Sequence, residues 1–212
     1  MFHGNSHLES DKIREQQEAL EKLEAEQRIR EAQEAAHFPE AATERHFIDK
    51  KGRDMTLRRE GAEPDKIRQT EAQDTQTIRH PIRLRTYHEG REAGRANLTL
   101  ETNKTYNPGA GHYDRVADRR LRINDIETYP AYRGSGVGSE HIREAERIAH
   151  RHEAREIYGS LSYETEDEAA VRSFYHKHGY ETRPGAMGGE EVYKDLRRDS
   201  NTASLRRQLR TG

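Results

Sequence analysis

Residues 132–139 read Tyr-Arg-Gly-Ser-Gly-Val-Gly-Ser, and this stretch carries the clearest chemistry in the chain. A strand pattern ends at Tyr129-Pro130, and a helical pattern opens near Ser135. Gly134, Gly136 and Gly138 remove Cβ atoms, so a ligand can approach the backbone closely. The first amides of the helix have no internal acceptors and point outward. Together with the helix dipole they form an anion site suited to phosphate. Arg133 adds a positive charge at its entrance. The stretch has no Gly-Lys-Ser/Thr ending, so it is not a Walker A loop, and its spacing does not fit a dinucleotide fingerprint. Spacing alone is equally compatible with glycines that serve only a tight turn.

The elements that must position this turn follow from periodicity. Short strands are expected at 55–59, 82–87, 93–101 and 119–128, and the second and third form a hairpin. A helix is expected over 63–75, with Pro64 in its first turn. Residues 103–118 carry Pro108, Gly109 and Gly111 and predict a long loop. The helix after the glycine turn, to about His152, sets Val137, Ile142, Ala145, Ile148 and Ala149 on one face. A strand at 156–161, a helix over 166–178 stopped by Gly179, and a strand at 191–196 complete the order. The expected body, 51–196, is a mixed α/β domain.

Composition bounds the rest. Of 212 residues 36% are charged, and only 31 are Leu, Ile, Val or Phe. That falls below the ~20% at which disorder becomes a serious reading, but the net charge of −2 argues against it. The core is expected to be thin, so a bound coenzyme or partner should add stability. Residues 1–50 carry net −5 and read as a polar helix over about 8–36 followed by a linker at 40–53. The helix is a candidate for homodimer formation or partner docking, although its apolar positions do not sustain heptads. Residues 197–212 carry net +4 and read as a disordered tail. No run approaches 18 apolar residues and the first residues lack an apolar signal core, so a cytoplasmic protein is expected, with no membrane. The balanced charge argues against nucleic acid. There is no Cys, and His150/His152 and His176/His178 have the wrong spacing for one helix face, so no metal is expected.

Arg133-Gly134-Ser135-Gly136-Val137-Gly138, led in by Pro130-Ala131-Tyr132, resembles the Arg/Gln-x-x-Gly-x-Gly/Ala signature of the GNAT superfamily of acyl-CoA-dependent N-acyltransferases. A second block, 169–180, resembles that family's late helix, with Phe174-Tyr175 and Gly179-Tyr180 in the characteristic places. Residues 55–59 look like its first strand, so the resemblance covers about 54–196. It implies a central mixed, mostly antiparallel sheet flanked by helices, here with an added N-terminal helix.

The resemblance also implies a reaction: acetyl transfer from acetyl-CoA, as co-substrate, to a primary amine by direct attack. The acceptor would be a small molecule, a protein lysine or an N-terminus. Arg133, Gly134, Ser135, Gly136, Val137, Gly138 and Ser139 would hold the coenzyme pyrophosphate, and the strand end at Thr128 and Tyr129 its pantetheine arm. Tyr175 matches the tyrosine that protonates the leaving thiolate. Glu127 is the candidate base, with Asp125 and Glu164 as other carboxylates. Two departures stand out. The family's coenzyme-binding Asn has only Asp167 or Glu168 in its place, and the region before the hairpin is short. The second suggests an open acceptor groove, or one completed by the head helix or another subunit. The alternative function is a non-catalytic acyl-CoA-binding or interaction module with the same fold.

Overall fold

The computed structural model describes Gln17 and residues 43–60, 67–72, 74–161, 168–185 and 188–197. The expected head helix (apart from Gln17, which is helical), Glu164, Asp167 and the tail beyond Arg197 lie outside the described residues. The chain divides into Met1–Glu40 and Ala41–Gly212, and every strand belongs to the second unit.

Nine strands form one sheet: β1 (Thr43–Ile48), β2 (Asp54–Glu60), β3 (Arg68–Ala72), β4 (Thr75–His88), β5 (Arg91–Asn107), β6 (His112–Thr128), β7 (Glu156–Ser160), β8 (Glu181–Pro184) and β9 (Glu190–Asp195). The order across it is β1-β2-β4-β5-β6-β7-β9-β8, with β3 sharing the edge of β4 beside β2. Every pair is antiparallel except β6/β7. That parallel pair is linked by helix α1 (Val137–Arg151); helix α2 (Glu168–Lys177) follows β7.

One face of the sheet packs on α1. Ile82, Leu84, Ala96, Leu98, Leu100, Leu121 and Ile123 are buried, as are the five α1 positions expected from periodicity. His141 is also fully buried, and its Nε2 lies 2.9 Å from the Thr86 hydroxyl of β4. Arg45 and Arg59, from β1 and β2, reach Glu140 (2.6 Å) and Glu144 (3.5 Å) on the same helix. Partnership lets these charges sit at the margin of the core.

Three expectations need correction, and one strand lies where none is expected. The supposed linker contains β1, which alternates Arg45 and Phe47 inward with Glu44, His46 and Ile48 outward and pairs along β2. Its single inward large apolar residue, Phe47, packs on Met55, Ala93 and Val137. The helix expected over 63–75 is instead strand β3 from Arg68, a tight hairpin partner for β4 (61–66 lie outside the described residues). There the exposed edge of β4 outweighs local helix propensity. The long loop at 103–118 shrinks to a turn at 108–111, because Thr102, Thr105, Tyr106, Tyr113 and Val116 carry the β5–β6 ladder almost to its tip. Strand β8, only four residues long, was not expected at all.

Candidate active site

β6 and β7 pair only over Arg120–Arg122 and Glu156–Tyr158, then separate. Gly159 stands at the parting point, where a Cβ would come within 2.7 Å of the Ile123 carbonyl oxygen. Beyond it lies a cleft of about 860 Å³. One wall is the strand end 123–128, whose outer edge has no strand partner among the described residues. The floor is the turn before α1, and Ala170, Val171, Phe174, Tyr175 and Lys177 of α2 form the other side.

A bulge sets which side chains face the cleft from β6. Asn97 pairs with Asp125 and Leu98 with Ile123, so Asn124 is an extra residue. Past it, Ile126 stands opposite buried Ala96 on the helix face, while Asp125 and Glu127 lie on the other face. Glu127 pairs with Arg95 of β5 at 2.8 Å, and both are about two-fifths exposed. Thr128 faces α1, with its hydroxyl beside Gly138.

Gly136 caps α1 from the left-handed region (φ 98°), which its missing Cβ permits. The amides of Gly136, Val137, Gly138 and Ser139 have no acceptor among the described residues. Four adjacent donors thus meet the cleft at the positive end of a 15-residue helix. Gly138 is also needed for space, because a Cβ there would press on Phe174 and the Thr128 hydroxyl at 3.4 Å.

Of the expected site residues, Glu127, Thr128, Arg133, Gly134, Gly136, Val137, Gly138, Ser139 and Tyr175 line the cleft. Ser135 and Tyr129 do not. The Ser135 hydroxyl donates to the Tyr132 carbonyl at 2.6 Å, and the Tyr129 hydroxyl to Glu92 at 3.2 Å. Ser139 is shared with His178, whose Nε2 is 3.0 Å from its hydroxyl. The Tyr175 ring packs edge-on between Phe174 and Tyr180, and its hydroxyl has no partner among the described residues. Burial, with the Asp125 carboxylate as a second cause, pushes its pKa up to about 12.

Sequence reading missed Lys50, which lines the cleft from the β1–β2 turn. Its position beside the glycine turn depends on a contact 85 residues away in sequence, between its own amide and the Ser135 carbonyl (2.9 Å). No local pattern signals such a contact. Among the described residues no group of three or more His, Asp or Glu could hold a metal ion, and no helix is long and apolar enough to cross a membrane.

Residues 86–182 match the family model described as acetyltransferase (GNAT) domain. That stretch, a little under half of the chain, contains both the glycine turn and the late helix on which the resemblance read from the sequence rests. Solved structures similar to it include the paia N-acetyltransferase of Thermoplasma acidophilum in complex with coenzyme A. That match has 15% identity and a TM-score of 0.40, over 54% of this chain and 60% of that one. The GNAT domain of S. lividans PAT is similar over 76% of this chain and 98% of that one, at 13% identity and a TM-score of 0.45. An acetyltransferase from Streptococcus agalactiae is similar over 54% and 66%, at 15% identity and 0.40. No curated protein matches the chain in sequence.

Proposed function

We propose that the protein is an acetyl-CoA-dependent N-acetyltransferase. The observation that carries this reading is the row of four amides at the head of α1, without acceptors among the described residues, opening into a cleft beside a strand edge that likewise has no strand partner among them. The amides suit a diphosphate. The strand edge suits an extended arm bearing amide groups, which would add to it as a strand does. An acyl carbonyl at that edge would find a backbone donor for its developing negative charge.

The amine nitrogen attacks the thioester carbonyl, the N–C bond forms, and the C–S bond breaks. The amine proton passes to a carboxylate, directly or through water. Glu127 is the proposed acceptor of that proton, with Asp125 beside it on the same face. Arg95 competes for the Glu127 carboxylate, so a cationic acceptor would have to displace or share that contact. Tyr175 donates its hydroxyl to the departing sulfur. With a pKa near 12, against ~8.5 for a thiol, it keeps its proton at neutral pH and acts through a hydrogen bond that strengthens as charge builds on sulfur.

Calorimetric titration with acetyl-CoA, with Gly136→Glu as the control, tests the first step. The wild type should bind and the variant should not; a wild type that fails to bind removes the proposal. Thiol release in the presence of polyamines, aminoglycosides or lysine peptides tests the second. Tyr175→Phe should lower turnover roughly 100-fold, as for the loss of one hydrogen-bond donor to developing charge, with coenzyme affinity unchanged. Equal losses in turnover and affinity would show that the hydroxyl only holds the ligand.

A further inference from the structure

We infer that the β1–β2 turn is part of the coenzyme site, with Lys50 supplying an ammonium group to the phosphates at the glycine turn; this rests on the coenzyme reading above. The turn lies outside residues 86–182, the stretch matched by the family model.

Three observations carry it. First, the turn is fastened to the glycine turn. The Lys50 amide donates to the Ser135 carbonyl at 2.9 Å, and the Arg53 guanidinium stacks over the Tyr132 ring at 4.6 Å. Second, the turn is rigidly built. The buried Asp49 carboxylate accepts from the amides of Lys51 (2.8 Å) and Arg53 (2.9 Å) and from the Arg53 Nε (2.8 Å). Burial alone would raise the pKa of that carboxyl, but these donors outweigh it and hold the group below its usual value. Third, the Lys50 stem lies along Gly136. A Cβ built on that glycine would sit 3.6 Å from both Cγ and Cε of Lys50. The ammonium beyond has no acceptor among the described residues, and the residue lines the cleft.

A lysine held by its backbone, with its stem laid against the helix cap and its ammonium without an acceptor among the described residues, is placed for an anion. The same helix cap presents four unpartnered amides. Dipole and side-chain charge therefore act on one ligand group from two sides. Arg133, also lining the cleft, belongs to the glycine turn itself, so Lys50 is the contribution of a separate hairpin.

The test is calorimetric titration of the full chain with coenzyme A, dephospho-coenzyme A and pantetheine. The proteins are the wild type, Lys50→Ala, Lys50→Arg and Lys51→Ala, with melting temperatures of the free proteins as the folding control. Lys50→Ala should raise the Kd for coenzyme A about five- to tenfold, as for a partly exposed charge-assisted contact. It should leave pantetheine, which has no phosphate, unaffected. Lys50→Arg should stay within about twofold of the wild type, because the charge is retained. Loss with coenzyme A but not with dephospho-coenzyme A would assign the contact to the 3′-phosphate; loss with both assigns it to the diphosphate. An unchanged Kd in Lys50→Ala overturns the inference, as does an equal loss with pantetheine. An equal loss in Lys51→Ala would mean a diffuse field and also overturns it. A wild type that binds none of the three ligands overturns the coenzyme reading itself, and this inference with it.

Discussion

Acid should loosen the helix that presents the four cleft-facing amides, and His141 is the reason. Its ring is fully buried between α1 and the sheet, with Nε2 on the Thr86 hydroxyl and Nδ1 buried without a partner among the described residues. Burial holds its pKa down to about 4, against 6.5 for an ordinary histidine. Between those two values the unfolded chain binds a proton that the folded chain refuses. Stability is therefore complete above pH 6.5 and is lost as pH falls towards 4. At about 1.4 kcal/mol per pH unit the gap amounts to about 3 kcal/mol, a large part of the ~5–15 kcal/mol of a typical domain. Urea unfolding followed by circular dichroism at pH 7.5 and pH 4.5 measures it. His141→Gln is the comparison, since glutamine can still bond Thr86 but does not titrate. Carboxylates titrate alike in both proteins and cancel in the difference. The wild type should lose about 2–3 kcal/mol more than the variant on acidification. Equal losses would refute the assignment of the acid sensitivity to this ring.

Three further outcomes follow from packing and charge. Gly94→Ala places a methyl 2.6 Å from the Glu127 carbonyl oxygen and 2.9 Å from Val137. It should cost about 1–3 kcal/mol in urea unfolding and weaken coenzyme binding without touching ligand; full stability would mean the strands yield freely. Asp49→Ala removes the three donor contacts that shape the β1–β2 turn. It should lower both the melting temperature and coenzyme affinity, whereas unaltered affinity would separate that turn from the site. At the alkaline end, the raised pKa of Tyr175 means the unfolded chain releases its proton first. Stability should fall as pH rises from 10 to about 12, by less in Tyr175→Phe, and matching alkaline profiles would contradict it.

The parts of the site that lie within one local pattern were legible in the sequence. Gly134, Gly136 and Gly138 between a strand and an amphipathic helix already imply exposed amides, and Gly179 marks the end of the helix that carries Tyr175. The unforeseen parts depend on partners distant in sequence. Phe47 and Lys50 sit among charged residues, and only pairing with β2 gives Arg45 and Phe47 a common inward face. Residues 68–72 have no apolar alternation, and their strand exists because β4 offers them an edge. The bulge at Asn124 left no composition signal, yet it decides that Asp125 and Glu127 face away from the core.

The β1–β2 hairpin has a consequence for how the protein comes into being. Its ties to α1 span nearly half of the chain, with Arg45 and Glu140 95 positions apart. Closing so large a loop costs entropy before any contact repays it, so such contacts form late on a folding pathway. The β4–β5–β6 meander, built from neighbouring strands, can assemble first. A refolding experiment should then show most of the sheet signal before the capacity to bind coenzyme A appears. Ligand binding would report the finished molecule, and a chain halted before its hairpin docks would already look folded to circular dichroism while the proposed phosphate site was still open on one side.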